Sequence, residues 1–536
     1  MQAPLRQRLV VRRRYFATVS GPNSSRTPVV MIRVYSRNSK QKNATSLMLE
    51  QDTQTRQREL RKELGLRNLV FSQILNIVGL FWIGAAAKLG PANVSFWLCG
   101  VALFYLPSAV VVIYLNRAHT LEGGLYEWSR LGFNELVGFL VAWNLWLNAV
   151  AILSYGGIQA TVMLSYALGP RAAWIVDSRW VMGGVTLLIL GSLIAIAFIG
   201  MSLGKKVQDF GGAVMVIVFV ALIALPWRNH WIGRPTQHAP FTLALPVISL
   251  FSLNVLGKMS FGAFGGFDGM AIFAGECRDA TRAIGRSIII ATPIIVLMFV
   301  LGTSSVVALV PKDKIDLISP ISQALTMGTR PTDAGASLIP LAILAMLLAF
   351  IAQMALSFAI TTRLPLVAGW DHLLPEWFGR LHPRRKTPTN AILFVGTVAF
   401  ALAIAGVAGA GQQEAFQLLQ NASGIFYALS YLVMFALPLF GRQRQVLKPA
   451  LWLQAAAVSG FIMTAMYLVL ALFPIIDVPH QLVFTAKIGG FVLACQLGAA
   501  ALFYSYRRRS YACLGADPGS DNVEVIEDAT GATTVR

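Results

Sequence analysis

The sequence predicts an all-α integral membrane protein with about twelve transmembrane helices, and three observations carry that prediction. Hydrophobic residues make up 56% of the 536 residues and charged residues only 13%, against roughly 25% charged in a soluble globular protein. The apolar residues gather in runs of about 18–25, long enough to cross a hydrocarbon layer of roughly 30 Å as helices. The third observation is where the charge lies. Lys plus Arg (44) less Asp plus Glu (24) leaves +20, yet the basic residues sit in an N-terminal tail and in short loops between apolar runs, as in a polytopic membrane protein. An ordinary soluble enzyme is excluded. A nucleic-acid partner is not expected, because the surplus is not spread over a soluble surface.

Residues 1–68 form a basic tail whose first 49 residues hold ten Lys or Arg and no acid. Its RRRYFATVS stretch looks like an organellar targeting peptide. The alternatives are a start placed too early, with Met48 opening an ordinary lead-in, and a basic tail that touches anionic lipid. The apolar runs follow at 69–87, 92–115, 133–167, 180–200, 206–226, 247–275, 287–310, 337–362, 391–408, 415–440, 450–473 and 486–506. Residues 69–440 are expected to form the core and 441–509 to add two helices. The small, polar, acidic segment 510–536 is expected to be a disordered tail.

An even number of spans puts both termini on one side of the bilayer. Loops on that side carry Arg117, Arg130, Lys205, Lys206, Arg278, Arg282, Arg286, Arg363, Arg384, Arg385 and Arg442, among others. The opposite side carries about half as many, including Arg171, Arg228, Lys312 and Arg330. Basic loops stay in the cytoplasm, so both termini are expected there, with the protein in the plasma or inner membrane.

Catalytic signatures are missing: there is no GxSxG, HExxH or GxxxxGKS/T pattern, and the six histidines lie in or near loops without ligand spacing. The four cysteines (Cys99, Cys277, Cys495, Cys513) show no CxxC spacing. No enzyme activity, metal site or cofactor is expected.

Glycine and polarity instead interrupt two particular spans. The first reads NIVGLFWIGAAAKLGPA (76–92), with Gly79 and Gly84 bracketing its centre. The sixth reads KMSFGAFGGFDGMAIFAGE (258–276), with Gly262, Gly265, Gly266 and Gly269 round Asp268. Glycines spaced GxxxG also let intact helices pack closely. Two breaks lying five spans apart, one with an acid inside it, point instead to a transporter's midplane site. Freed N–H groups at a half-helix N-terminus suit a carboxylate and unwound carbonyls suit an ammonium group, so a zwitterionic amino acid fits the pair.

Three stretches carry a family resemblance: FGAFGGFDGMAIFAGECRDATRAIGRSI (261–288), EGGLYEWSRLGFNELVGFLVAWNLWL (122–147) and TTRLPLVAGWDHLLPEWFGRLHPRRKTPTNAI (361–392). In order and content they resemble the amino acid/polyamine/organocation (APC) superfamily. The first-span sequence GLFWIG (79–84) looks more like its glutamate/GABA antiporter subgroup, and Ala280 and Gly285 stand where prolines are usual in the superfamily. The resemblance implies a fold like that of the leucine transporter, with spans 1–5 and 6–10 as inverted repeats plus two extra helices. It also implies that Val78, Gly79, Leu80 and Phe81, with Gly84 beyond them, form a break that holds a substrate carboxylate. Ala263, Phe264, Gly265 and Gly266 would supply backbone for the amine, Phe261 or Phe264 an aromatic lid, and Asp268 the gate acid and proton-coupling group.

Other polar residues are secondary candidates. Asn144 and Asn148 share one face of span 3, and Asn421, Ser423 and Tyr427 lie in span 10; both sets suit helix-to-helix contacts as well as substrate. Lys88 and Lys258 are expected to snorkel from span ends. Arg363 and Asp371 are expected in a gate or in structural contacts. Sodium-coupled relatives use span-one carbonyls and span-eight hydroxyls, for which Ser357, Thr361 and Thr362 are the candidates here, although hydroxyls commonly bond to their own helix.

The reading is a permease that moves an amino acid or related small amine by alternating access, by exchange or with a proton. Its alternative is a sensor on the same fold that binds an amino acid without moving it. The partners are the substrate, the bilayer and a coupling proton or sodium ion; the sequence carries no signal of oligomeric state.

Overall fold

The computed structural model describes residues 62–513 apart from 120–122, 240, 246, 334, 371–372, 386, 409–411, 443–448 and 474–480, together with 525–527 and 533–535. The basic tail up to residue 61 and Asp371 lie outside the described residues. Two units are distinguished. Arg56–Phe503 holds the helical bundle, and the second combines Met1–Thr55 with Tyr504–Arg536. In the second, the described residues include an antiparallel strand pair, Val525–Glu527 with Thr533–Val535.

Twelve helical segments take the places of the predicted spans. Span 1 is the bent pair Leu66–Ile77 and Leu80–Ala87. Spans 2 to 5 are Gly90–Ala118, Glu135–Leu168, Arg179–Ile199 and Met201–Trp231. Span 6 is Leu250–Gly257, a π-helical stretch Lys258–Ala263 and a 3₁₀ stretch Phe267–Glu276. Spans 7 to 12 are Ala280–Leu309, Leu338–Trp370, Thr389–Ala408, Gln412–Phe440, Leu451–Leu470 and Gln481–Cys513. Among the described residues nine helices are long and apolar enough to cross a membrane, and the bent pair makes a tenth. The other two predicted spans differ for physical reasons. The described apolar part of span 9 is short, Thr389–Ile404, and span 6 is broken by its glycines.

Span 3 is the hub, packed against spans 4, 8, 9 and 10. It opens on Asn134, whose Oδ1 accepts the Val137 N–H at 2.9 Å, an ordinary side-chain N-cap. Small residues bring its neighbours close: a Cβ at Gly157 would lie 1.8 Å from Thr186 Oγ1 on span 4. Spans 5 and 8 meet the same way, where a Cβ at Gly211 would lie 2.3 Å from Ala352 Cβ. The outward faces of the bundle are apolar, with Leu188, Ile217 and Leu497 exposed. Trp180 and Trp231, at span ends, are almost fully exposed, where indole rings favour the lipid–water boundary.

Candidate functional site

Span 1 bends by 46° at Val78–Gly79. Gly79 is extended (φ −88°, ψ 125°) and serves as N-cap of Leu80–Ala87, so the first N–H groups of that half-helix have no carbonyl behind them. Span 6 breaks at Gly266, whose φ of +136° is one that side-chain-bearing residues rarely adopt. The two breaks face each other. Asn76 Nδ2 donates to Gly266 O at 2.7 Å, and the Gly266 N–H donates to Tyr431 Oη at 2.9 Å.

Between them lies a cavity of about 140 Å³. Gly79, Phe81 and Trp82 line it from span 1, and Phe261, Gly265, Gly266 and Asp268 from span 6. Its polar lining is rich in amides: Asn76, Asn148, Gln159, Gln353 and Gln420, with Ser357, Ser423 and Tyr427. Asp268 is buried, and its Oδ1 accepts the hydroxyls of Tyr427 at 2.6 Å and Tyr431 at 2.7 Å. These two bonds tie the broken part of span 6 to span 10.

The residues expected at the site are distributed as follows. Gly79, Phe81, Phe261, Gly265, Gly266, Asp268, Asn148, Ser357, Ser423 and Tyr427 line the cavity. Val78, Leu80 and Ala263 are buried beside it without lining it, and Val78 contributes its carbonyl to a bond with Gln353. Phe264 faces away, stacked on Tyr105 at 4.4 Å between ring centroids; of the two candidate lids only Phe261 reaches the cavity. Gly84 packs where a Cβ would meet Asp316 O and Pro320 at about 3.1 Å, outside the cavity.

Asn144 bonds to Gln496 of span 12, receiving its Nε2–H at 2.5 Å, whereas Asn148 Oδ1 receives the Ser423 hydroxyl at 2.7 Å. Asn421 is buried outside the cavity lining. The hydroxyls of Thr361 and Thr362 bond back to Ser357 O and Ala359 O of their own helix. Lys258 does not snorkel. The π-helical stretch turns it inward, and its Nζ donates to Phe473 O at 2.5 Å with only 1% of the residue exposed.

Packed groups lie towards each end of the cavity. Phe416 of span 10 packs on Phe81 (5.5 Å) and Tyr155 (5.0 Å) and also lines a second cavity of about 440 Å³ with Lys88, Tyr166 and Asp316. At the end where residues 62–65 enter the bundle, Arg363 Nε donates to Glu276 Oε1 at 2.6 Å, and the guanidinium lies over the Phe273 ring. The Glu63 and Leu64 N–H groups bond to Glu276 O, and Lys205 pairs with Glu63 at 3.0 Å. Sequence reasoning passed over Asn76, Gln159, Gln353 and Gln420, which line the cavity, and Tyr431, which bonds to Asp268 and Gly266 beside it, because no motif sets them apart within their apolar spans.

A sequence model of the family described as amino acid permease matches residues 64–493. An uncharacterized transporter of Legionella pneumophila is 24% identical over 387 residues, covering 70% of this chain and 80% of the relative. A probable agmatine/putrescine antiporter of Lactococcus lactis is 23% identical over 390 residues, covering 70% and 79%. The methylthioribose transporter of Bacillus subtilis is 26% identical over 358 residues, covering 65% and 72%.

Proposed function

The chain belongs to the amino acid permease family, and from that premise we propose that it carries a small zwitterionic amino acid across the membrane by alternating access. The observation that carries this reading is the pair of facing helix breaks on one cavity, with a carboxylate and several amides among its lining. The substrate carboxylate docks on the free N–H groups at the start of Leu80–Ala87, where the helix dipole favours negative charge. The amine faces Asp268 and the unwound backbone of Gly265–Gly266. Asp268 is the single carboxylate lining the cavity among the described residues and already accepts two hydroxyls. That suits one ammonium group, not the two cationic ends of a polyamine.

Release on either side requires one closure to part at a time: the Phe416 layer at one end, or the Arg363–Glu276 pair with the Glu63–Leu64 strap at the other. Exchange, or proton movement through Asp268 with Tyr427 and Tyr431 beside it, drives the cycle. The excess of Lys and Arg on the side of the strap supports a cytoplasmic position for both termini, in keeping with a plasma- or inner-membrane protein.

The test is tracer exchange in proteoliposomes preloaded with a mixture of amino acids, each labelled compound being supplied outside in turn. Saturable uptake of one small amino acid is expected. Binding of that compound, seen as thermal stabilisation, without any saturable flux would overturn the transport reading.

A further inference from the structure

Span 10 gives the cavity four lining residues: Gln420, Ser423, Gly424 and Tyr427. Their spacing of i, i+3, i+4 and i+7 puts them on one face of the helix. Tyr427 bonds to Asp268 at the amine end. Gln420 and Ser423 carry the polar lining away from it, and Gly424 brings no side chain of its own.

The place of that side chain is taken from another helix. A Cβ on Gly424 would lie 1.7 Å from Tyr467 Oη and 2.9 Å from Tyr467 Cζ, so the hydroxyl stands where a cavity-lining residue would begin its side chain. Tyr467 belongs to Leu451–Leu470, span 11, none of whose residues is itself in the lining. Its ring packs on Phe261, the lid that does line the cavity, at 4.6 Å between centroids. The hydroxyl is therefore at the wall between two lining residues, and Gly424 has no side chain to cover it.

Tyr467 is fully buried, and its Oη has no hydrogen-bond partner among the described residues. A buried hydroxyl left in that state costs free energy that a partner recovers, and a substrate in the cavity brings the partner. Residue 424 lies three positions from Tyr427, about 4.5 Å along the helix axis. With the amine at Asp268, a short side chain spans that separation. The nearby lining groups Gln420, Ser423 and Tyr155 are polar and uncharged, so an ionised side chain would find no opposite charge there.

We propose that Tyr467 is a specificity-determining residue contributed by span 11: its hydroxyl bonds to the side chain of the transported amino acid and selects short, neutral, polar side chains, a hydroxyl or an amide, over apolar ones of the same size. This inference rests on the transport reading above and adds the class of side chain to it.

The experiment compares wild type and Tyr467→Phe, which keeps the ring on Phe261 and removes only the hydroxyl. The probes are two matched pairs, threonine against valine and asparagine against leucine. The first readout is kcat/KM for uptake per folded molecule in proteoliposomes. Wild type is expected to favour the polar member of at least one pair by about tenfold or more. Tyr467→Phe should shrink that preference to within about threefold and leave uptake of the apolar member within about twofold of wild type. The second readout is thermal unfolding without substrate: Tyr467→Phe should keep the wild-type midpoint or raise it, whereas a hydroxyl with a structural role would lower it on removal. Equal uptake of both members of each pair by wild type would overturn the proposal. So would a Tyr467→Phe protein that keeps the preference, or one that loses uptake of every compound in proportion and unfolds at a lower temperature. Failure of the transport reading looks different: neither protein then shows flux, yet threonine or asparagine stabilises wild type against heat more than its apolar counterpart does, and Tyr467→Phe removes that difference. No such stabilisation, together with no flux, would overturn both.

Discussion

Alanine at Gly266 tests the geometry of the site through one methyl group. The residue sits at φ +136°, and an added Cβ would lie 2.8 Å from Asn76 Nδ2 and 2.9 Å from Ile77 Cγ1. Forcing a side-chain-bearing residue into so sparse a backbone region costs about 1–3 kcal/mol. Pushing the Asn76 amide off Gly266 O removes a hydrogen bond worth about 0.5–1.5 kcal/mol. Together about 1.5–4.5 kcal/mol falls on the facing arrangement of the two breaks, which lowers flux by about tenfold to two-thousandfold if that arrangement must form in every cycle. The assay is initial uptake per folded molecule in proteoliposomes, with folding scored by thermal unfolding and monodispersity. Gly285→Ala is the control, because its Cβ would meet nothing closer than Ile113 Cγ2 at 3.8 Å within a regular helix; it should keep full activity and gain a little stability. A Gly266→Ala protein with flux within about twofold of wild type would refute the reasoning.

Three further predictions follow from the contacts round the cavity and loops. Tyr431→Phe leaves the Gly266 N–H without its acceptor and Asp268 with one donor fewer, a buried loss of about 1–3 kcal/mol; flux should fall about tenfold or more, measured as uptake against substrate concentration. Asn144→Ala unpairs Gln496, so the unfolding midpoint should drop by the equivalent of about 1 kcal/mol while flux per folded molecule stays unchanged; lost flux per folded molecule would move Asn144 into the substrate path. In the loop after span 7, the Arg234 guanidinium bonded to Asp333 holds its carboxyl well below the ordinary value of 3.8, helped by the Arg330 N–H and by Arg228. A depressed folded pKa stabilises above the unfolded value and is lost as pH falls through the folded one. The stability gap between wild type and Asp333→Asn should therefore be full at neutral pH and shrink below about pH 4, read by thermal unfolding.

The architecture was largely legible because its signals are long. A run of about 20 apolar residues declares a helix by length alone, and the clustered glycines at 79 and 262–269 announce where helical bonding fails. The tertiary partners were not legible. Nothing in the run around Gln353 says that its amide reaches Leu75 O and Val78 O, because that depends on how span 8 is rotated against span 1. Phe261 and Phe264 show why even a located break is ambiguous. They flank a π-helical stretch, Lys258–Ala263, where the 3.6-residue period no longer tells which side chain faces inward, and the structure turns Phe261 to the cavity and Phe264 to Tyr105. The same local geometry buries Lys258 beneath Phe473 O, although its position near the start of an apolar run suggested a side chain reaching for water. Asn144 and Asn148 divide likewise: one closes a contact with span 12 and the other lines the cavity, although both lie on one face of span 3.

The central claim, that both ends of one zwitterion are held between the two helix breaks, is tested most directly by competition against uptake of the transported amino acid. The competitors are the same compound unlabelled, its methyl ester and its N-acetyl derivative. The account predicts that the free amino acid competes and that blocking either end weakens competition by about tenfold or more, since each block removes a charged contact worth about 1.5–3 kcal/mol. Equal competition by the ester or the N-acetyl compound would contradict it.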